Sequence, residues 1–245
     1  MHGAIPGCFA RWVRSPVRRG WYCLLLFFFA LPLTAQTVRP VIVEYKEKAK
    51  ARFEIANNTL LPLNVVLEPR SFDISLTGEP TFRPLDSQIH LKLSAMSFRI
   101  PPQQSYYVFF EAKADKLPAW FVIYCLFAGF PRQSGLNVQV ELPHTVYLLQ
   151  KEPFQKWCVQ VGTAEFDPTT KRVLLELQNQ SPYLGRVQAA EVSSRRNRRP
   201  LGSFPLLPQS HRRLETVWTA PEPPEKLVLR FRGFTIEKEL LTRTP

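Results

Sequence analysis

With 245 residues, 45% of them apolar and 21% charged, the chain carries enough apolar material for packed cores and is not the low-hydrophobicity composition of a disordered chain. Its formal net charge of +12 points toward acidic partners or anionic surfaces, and its four cysteines are too few to staple a scaffold of this size.

Residues 1–20 include Arg11, Arg14, Arg18 and Arg19 and no acidic residue. An apolar run at 21–33 follows and closes on Thr34 and Ala35. This is the layout of a secretory signal peptide, with cleavage expected near Ala35. The run is shorter than the roughly 20 apolar residues of a membrane-spanning helix, and no later run reaches that length, so the mature chain is expected to be exported without stable membrane insertion. The residues before Cys23 do not suit a lipid-modified cysteine, and the flanks of Arg18-Arg19 do not suit a twin-arginine signal. Losing 1–35 removes four of the 32 basic residues and none of the 20 acidic ones, so the net charge falls from +12 to +8. In an exported chain that balance favours an acidic protein or an anionic surface over nucleic acid. Cys8 and Cys23 leave with the signal. Cys125 lies in an apolar stretch and reads as a buried free thiol, although a single bond to Cys158 stays open because sequence does not set their separation.

From residue 36 onward nearly every apolar segment is short, and Pro, Asn and Gly lie between segments, which is an all-β pattern. Strands are expected at 41–45, 51–55, 63–67, 89–93, 106–111, 119–127 and 136–142, the last continuing to 149. Seven strands in this span match an immunoglobulin-like sandwich. Asn57-Asn58 and Pro101-Pro102-Gln103-Gln104 supply turns. The polar break at 150–153 then separates a second set at 159–161, 173–177, 185–192, 213–218 and 226–231. The division is a signal at 1–35, a first sandwich at 36–152 and a second at 153–245. Between the second set's strands, Arg195-Arg196-Asn197-Arg198-Arg199 reads as a solvated hairpin loop, with an acidic patch as its other reading. One phrase recurs: residues 55–62 and 177–183 both place Asn and a hydroxyl residue in the turn after an apolar strand, which suggests two domains of similar build.

The segment 136–142 alternates without a break: Leu136, Val138, Val140 and Leu142 fall on one face, Asn137, Gln139 and Glu141 on the other. Together with Phe53 to Asn58, the stretch from Phe98 to Phe110, Lys116-Leu117-Pro118 before the aromatic-rich strand at 119–125, and Asn179 to Tyr183, it resembles the PapD-like periplasmic chaperones of pilus assembly. The family's usual Pro-Gly is here Pro102-Gln103. The resemblance implies two immunoglobulin-like domains in the periplasm, pilus-like subunits and an outer-membrane usher as partners, and β-strand addition as the mechanism. Leu136, Val138, Val140 and Leu142 would then fill a subunit's groove, each burial contributing about 1.5–3 kcal/mol before ordering costs. A strand that faces only its own core alternates in the same way.

The family also holds the subunit's terminal carboxylate with an arginine on the first strand and a lysine on the last strand of its first domain. Here Tyr147 falls about where that lysine would, and His144 and Lys151 are its neighbours. Arg39 matches the arginine only after a register shift, so Arg39 and Lys151 are the anchor candidates. No cofactor or metal is expected, and catalysis is not: His90, His144 and His211 are widely spaced, and there is no Cys-x-x-Cys, Gly-rich phosphate loop or Gly-x-Ser-x-Gly elbow. The competing class is an exported adhesion or carbohydrate-binding sandwich using Tyr106, Tyr107, Trp120 and Phe130.

Overall fold

The computed structural model describes residues 36–128 and 140–243. The expected signal segment, and Leu136, Val138 and Phe130, lie outside them. The first half of the chain forms β1 (Thr37–Arg39), β2 (Ile42–Lys46), β3 (Lys48–Asn57), β4 (Leu63–Ile74), β5 (Pro80–Pro84), β6 (Ile89–Leu93), β7 (Ser97–Ile100), β8 (Gln104–Ala114), β9 (Ala119–Ala128) and β10 (Val140–Leu149). A one-turn 3-10 helix, Lys156–Cys158, leads into β11 (Val159–Asp167), β12 (Arg172–Asn179), β13 (Gly185–Ser193), β14 (Arg198–Leu206), β15 (His211–Val217), β16 (Lys226–Arg230), β17 (Thr235–Glu239) and β18 (Leu241–Thr242). The protein is all-β, two immunoglobulin-like sandwiches in tandem.

In the first sandwich one sheet runs β1-β3-β8-β6 and the other β2-β10-β9-β4-β5, with β7 also on β4. Period-two alternation drives Phe53, Ile55, Val65, Val108, Phe110, Phe121, Ile123, Val146 and Leu148 into one core between them. The second sandwich packs β15-β12-β11-β18 on β14-β13-β16-β17 around Phe166, Leu175, Val187, Leu206, Trp218 and Leu229. Cys125 and Cys158 are buried and free, and burial pushes the Cys125 thiol up to about 12, so it packs as a small apolar group.

The recurring Asn phrase is one device used twice. Asn57 Nδ2 reaches the carbonyls of Leu61, Ile100 and Pro101 at 2.8–3.1 Å, and its Oδ1 accepts from the backbone N–H and the hydroxyl of Thr59. Asn179 Nδ2 reaches the carbonyls of Tyr183, Leu206 and Leu207 at 2.7–3.2 Å, and its Oδ1 accepts from the backbone N–H and hydroxyl of Ser181. Both side chains are fully buried, and each stands in for strand pairing where its turn leaves backbone carbonyls inside the protein.

Three expectations are corrected. Residues 198–206, read as turn and loop after the basic run, form β14; Pro200, Gly202 and Pro205 belong to a strand at a sheet edge, where a missing N–H is tolerated. The strand expected at 41–45 is preceded by the short β1, because the chain enters one sheet at Thr37 and crosses to the other after Pro40. β4 is much longer than 63–67: its second half, with Phe72, pairs with β5. The hairpin reading of the basic run fits, since Ser194 N–H donates to the Asn197 carbonyl at the tip, and Arg195 and Arg196 sit beside Glu225 and Glu222.

Candidate functional site

β10 is bordered differently along its length. On one side β9 pairs antiparallel with all of it from Val140 to Leu148. On the other side β2 runs parallel and pairs only with Thr145 to Leu149, joined at its start by Thr145 N–H to the Val41 carbonyl at 2.7 Å. The N-terminal half of β10 therefore extends past the end of β2, and among the described strands its backbone ladder is with β9 alone, while β1 and Pro40 lie beside it without pairing. It continues directly into residues 129–139, which lie outside the described residues.

The strand's parity places Val140, Leu142, His144, Val146 and Leu148 on the side of the first core. Val146 and Leu148 are fully buried in it, whereas Val140 and Leu142 are half-buried and pack on its margin. Part of the apolar surface of these two is covered by their own domain, and the remainder is exposed.

His144, weighed from sequence as a neighbour of the carboxylate anchor, takes an apolar position instead. Its ring is fully buried, stacked on Phe53 at 4.2 Å between centroids and edge-on to Phe110 at 5.5 Å. Nδ1 lies 2.6 Å from the Pro40 carbonyl, which only accepts, so Nδ1 carries the proton. Nε2 is buried with no hydrogen-bond partner among the described residues. Desolvation outweighs the help of the Pro40 carbonyl and brings the imidazole down to about 4, so the ring is neutral and holds β10 to the crossing segment before β2.

Arg39 is exposed at the end of β1, in register with Glu54 of β3, and Lys151 is exposed just past the end of β10. Arg39 is level with the stretch near His144, so seven residues of extended chain, roughly 20 Å, separate it along β10 from Lys151. Opposite Tyr147, in register on β2, stands Glu44, whose Oε1 is 3.8 Å from Nη1 of Arg186 in the second sandwich. Tyr147 is buried, and burial pushes its hydroxyl up to about 12, with Arg186 lowering and Glu44 raising it. With Phe72, Val122, Leu184 and Leu207 it forms a small apolar cluster joining the two sandwiches. Gln150 reinforces that joint, its amide donating to the Leu184 carbonyl and accepting from the Leu184 N–H. A cleft of about 350 Å³ beside it is lined by Glu44, Arg186, Phe154 and Phe231. No local sequence signal marks Glu44, Arg186 or Gln150, because their partners lie in the other sandwich.

The aromatic residues considered for a sugar platform are mostly committed inward. Trp120 donates from Nε1 to the Phe72 carbonyl at 2.6 Å and Tyr106 stacks on Phe98, leaving Tyr107 exposed among them. Among the described residues no group of His, Cys, Asp and Glu has the arrangement of a metal site, and no helix is long and apolar enough to cross a membrane.

No family model matches the chain, and no curated protein matches it. Solved structures do. A chain of the Salmonella enterica SafA pilin in complex with the SafB chaperone aligns at TM-score 0.56 and 12% identity, over 86% of this chain and 99% of that one. The YadV chaperone aligns at 0.52 and 12% identity, over 83% and 97%. A chain of the CsuC-CsuE chaperone-tip adhesion subunit pre-assembly complex of Acinetobacter baumannii aligns at 0.51 and 10% identity, over 86% and 100%. The two tandem sandwiches of this chain are thus the fold found in structures of the PapD-like pilus chaperones.

Proposed function

We propose that the protein is a divergent periplasmic chaperone of pilus-type subunits, with 36–152 as the capturing domain and 153–245 as the domain braced against it. The N-terminal half of β10, with residues 136–139 before it, adds as a strand to an incomplete subunit sandwich. The subunit is then passed to an outer-membrane usher. The chain reaches the periplasm through removal of 1–35, and its role is binding rather than catalysis.

The observation that carries the reading is the partial border of β10. β2 pairs only from Thr145 onward, so the backbone at 140–144 is in a ladder with β9 and has no second ladder among the described strands, although β1 and Pro40 lie close by. Strand addition supplies main-chain hydrogen bonds, and Leu136, Val138, Val140 and Leu142 supply apolar burial. Because Val140 and Leu142 are already half-buried, each contributes less than the roughly 1.5–3 kcal/mol of a fully exposed aliphatic side chain. Arg39 and Lys151, far apart along β10, act separately and weakly, as steering charges rather than as one clamp.

Coexpression with a small exported β-subunit tests this. Wild type should co-purify with the subunit at a one-to-one ratio, and Val138→Glu with Val140→Glu should lose it while keeping the wild-type circular dichroism. Capture that survives the double change refutes strand donation from this segment.

A further inference from the structure

The outer face of the β1-β3-β8-β6 sheet lies away from the first core and carries charged and aromatic side chains that strand donation does not use. Parity turns Lys48, Lys50 and Arg52 outward on β3, and His90 and Lys92 outward on β6. Between those two columns β8 presents Lys113, Glu111, Phe109 and Tyr107. The register sets these side chains in rows across the sheet: Lys48 with Lys113 and His90, then Lys50 with Glu111 and Lys92, then Arg52 with Phe109. The local balance is positive. Lys48, Lys50, Arg52, Lys92 and Lys113 stand on this face against Glu54 and Glu111, the latter held by Lys50 at 2.8 Å, and Asp115 at its margin bonds His90.

This cationic field has apolar relief within it. Phe109 is 55% exposed and Tyr107 45%, and the Arg52 guanidinium lies over the Tyr107 ring at 4.8 Å. A phenylalanine so exposed at the middle of a sheet face leaves more than half of its surface uncovered by its own fold. Shallow grooves of about 460 and 910 Å³ cross the face and share Lys50, Lys92 and Glu111.

We propose that this sheet face docks an extended acidic segment of a partner polypeptide. Outward side chains on β3 recur about every 6.6 Å, the spacing of alternate residues in an extended chain, so acids at every second position fall in step with Lys48, Lys50 and Arg52. An apolar residue of the same segment covers Phe109. A flat anionic bilayer or a uniformly charged polysaccharide fits less well, since Glu54 and Glu111 stand inside the field and would face its charges, whereas a polypeptide segment can place an uncharged residue opposite each of them. The face is separate from β10, so this docking does not depend on strand donation.

A fluorescein-labelled decapeptide with glutamate at alternate positions, threonine between them and one central leucine, titrated by anisotropy against the full chain, tests the proposal. Binding should weaken steeply with salt, vanish for the glutamine version of the peptide, and fall at least tenfold in Lys50→Glu with Arg52→Glu. Phe109→Ser should lose about threefold, and Arg195→Glu with Arg196→Glu, at the exposed hairpin tip of the second sandwich, should leave binding unchanged. If the first double variant departs from the wild-type circular dichroism, Lys92→Glu with Lys113→Glu reads the same face. Equal binding of the glutamine peptide, unchanged binding by the charge-reversed chain, or loss in the hairpin-tip variant would overturn the proposal. So would retention on phosphatidylglycerol vesicles or dextran sulfate with no affinity for the peptide.

Discussion

The two sandwiches close the same turn with the same buried asparagine, yet they seat it differently. Asn57 and Asn179 each draw on a hydroxyl residue two positions on and a carbonyl four positions on, and then on two carbonyls from a distant segment. Around Asn179 the hydroxyl of Ser181 is fully buried, whereas the Thr59 hydroxyl bonds outward to Leu61 near solvent. The same fully buried side chain therefore has an equally buried hydroxyl beside it in the second sandwich and a partly exposed one in the first. Solvent is nearer to the partners of Asn57, so the cost of removing the asparagine should follow its surroundings rather than its hydrogen-bond count.

Chemical denaturation of the alanine variants puts a number on that contrast. Asn179→Ala leaves buried carbonyls without donors and should cost about 4 kcal/mol; Asn57→Ala should cost about 3 kcal/mol, its turn recovering part of the loss from solvent. Equal losses would mean that the exposure of the Thr59 turn contributes nothing.

The Asn phrase was legible in the sequence because its geometry is local: the residue, the hydroxyl at +2 and the carbonyl at +4 all sit within one turn. The strands with regular alternation were legible for the same reason. β14 was not, since Arg198, Arg199, Pro200 and Gly202 are turn-like in composition and only their edge position permits a strand. His144 was half legible. Its parity with Val140, Leu142, Val146 and Leu148 marks a core position, but its residue type suggested an exposed ligand, and the deciding rings of Phe53 and Phe110 come from other strands. The Glu44, Tyr147 and Arg186 grouping was illegible, because it exists only once two separately folded sandwiches meet.

The second sandwich has no counterpart to His144 in its core, so acid should act on the first more strongly. The imidazole sits at about 4 in the fold against about 6.5 when exposed, so the unfolded chain binds the proton first as pH falls. Its contribution is fully present above pH 6.5 and is lost progressively from there down to pH 4, amounting to about 3 kcal/mol at the low end. His144→Leu, which keeps an apolar group against Phe53 and Phe110, should flatten that part of the stability profile measured by denaturant titration at a series of pH values. An acid limb of the same depth in the variant would assign it to other groups.

The smallest effect belongs to the ion pair that spans the comparison. Glu44 and Arg186 approach only to 3.8 Å, beyond hydrogen-bond distance, and both side chains keep some exposure. Screening and the entropy of holding two long side chains leave such a pair about 1 kcal/mol at most. The apolar cluster of Phe72, Val122, Tyr147, Leu184 and Leu207, with the double amide contact from Gln150 to Leu184, then carries the joint. Glu44→Gln should accordingly shift unfolding by less than about 1 kcal/mol, with little sensitivity to salt, while Leu184→Ala should cost about 2–3 kcal/mol by opening space beneath Tyr147. If the glutamine variant proved the more damaging of the two, charge rather than packing would be what couples the sandwiches, and β10 would be braced by the residue facing Tyr147 instead of by the apolar surface behind it.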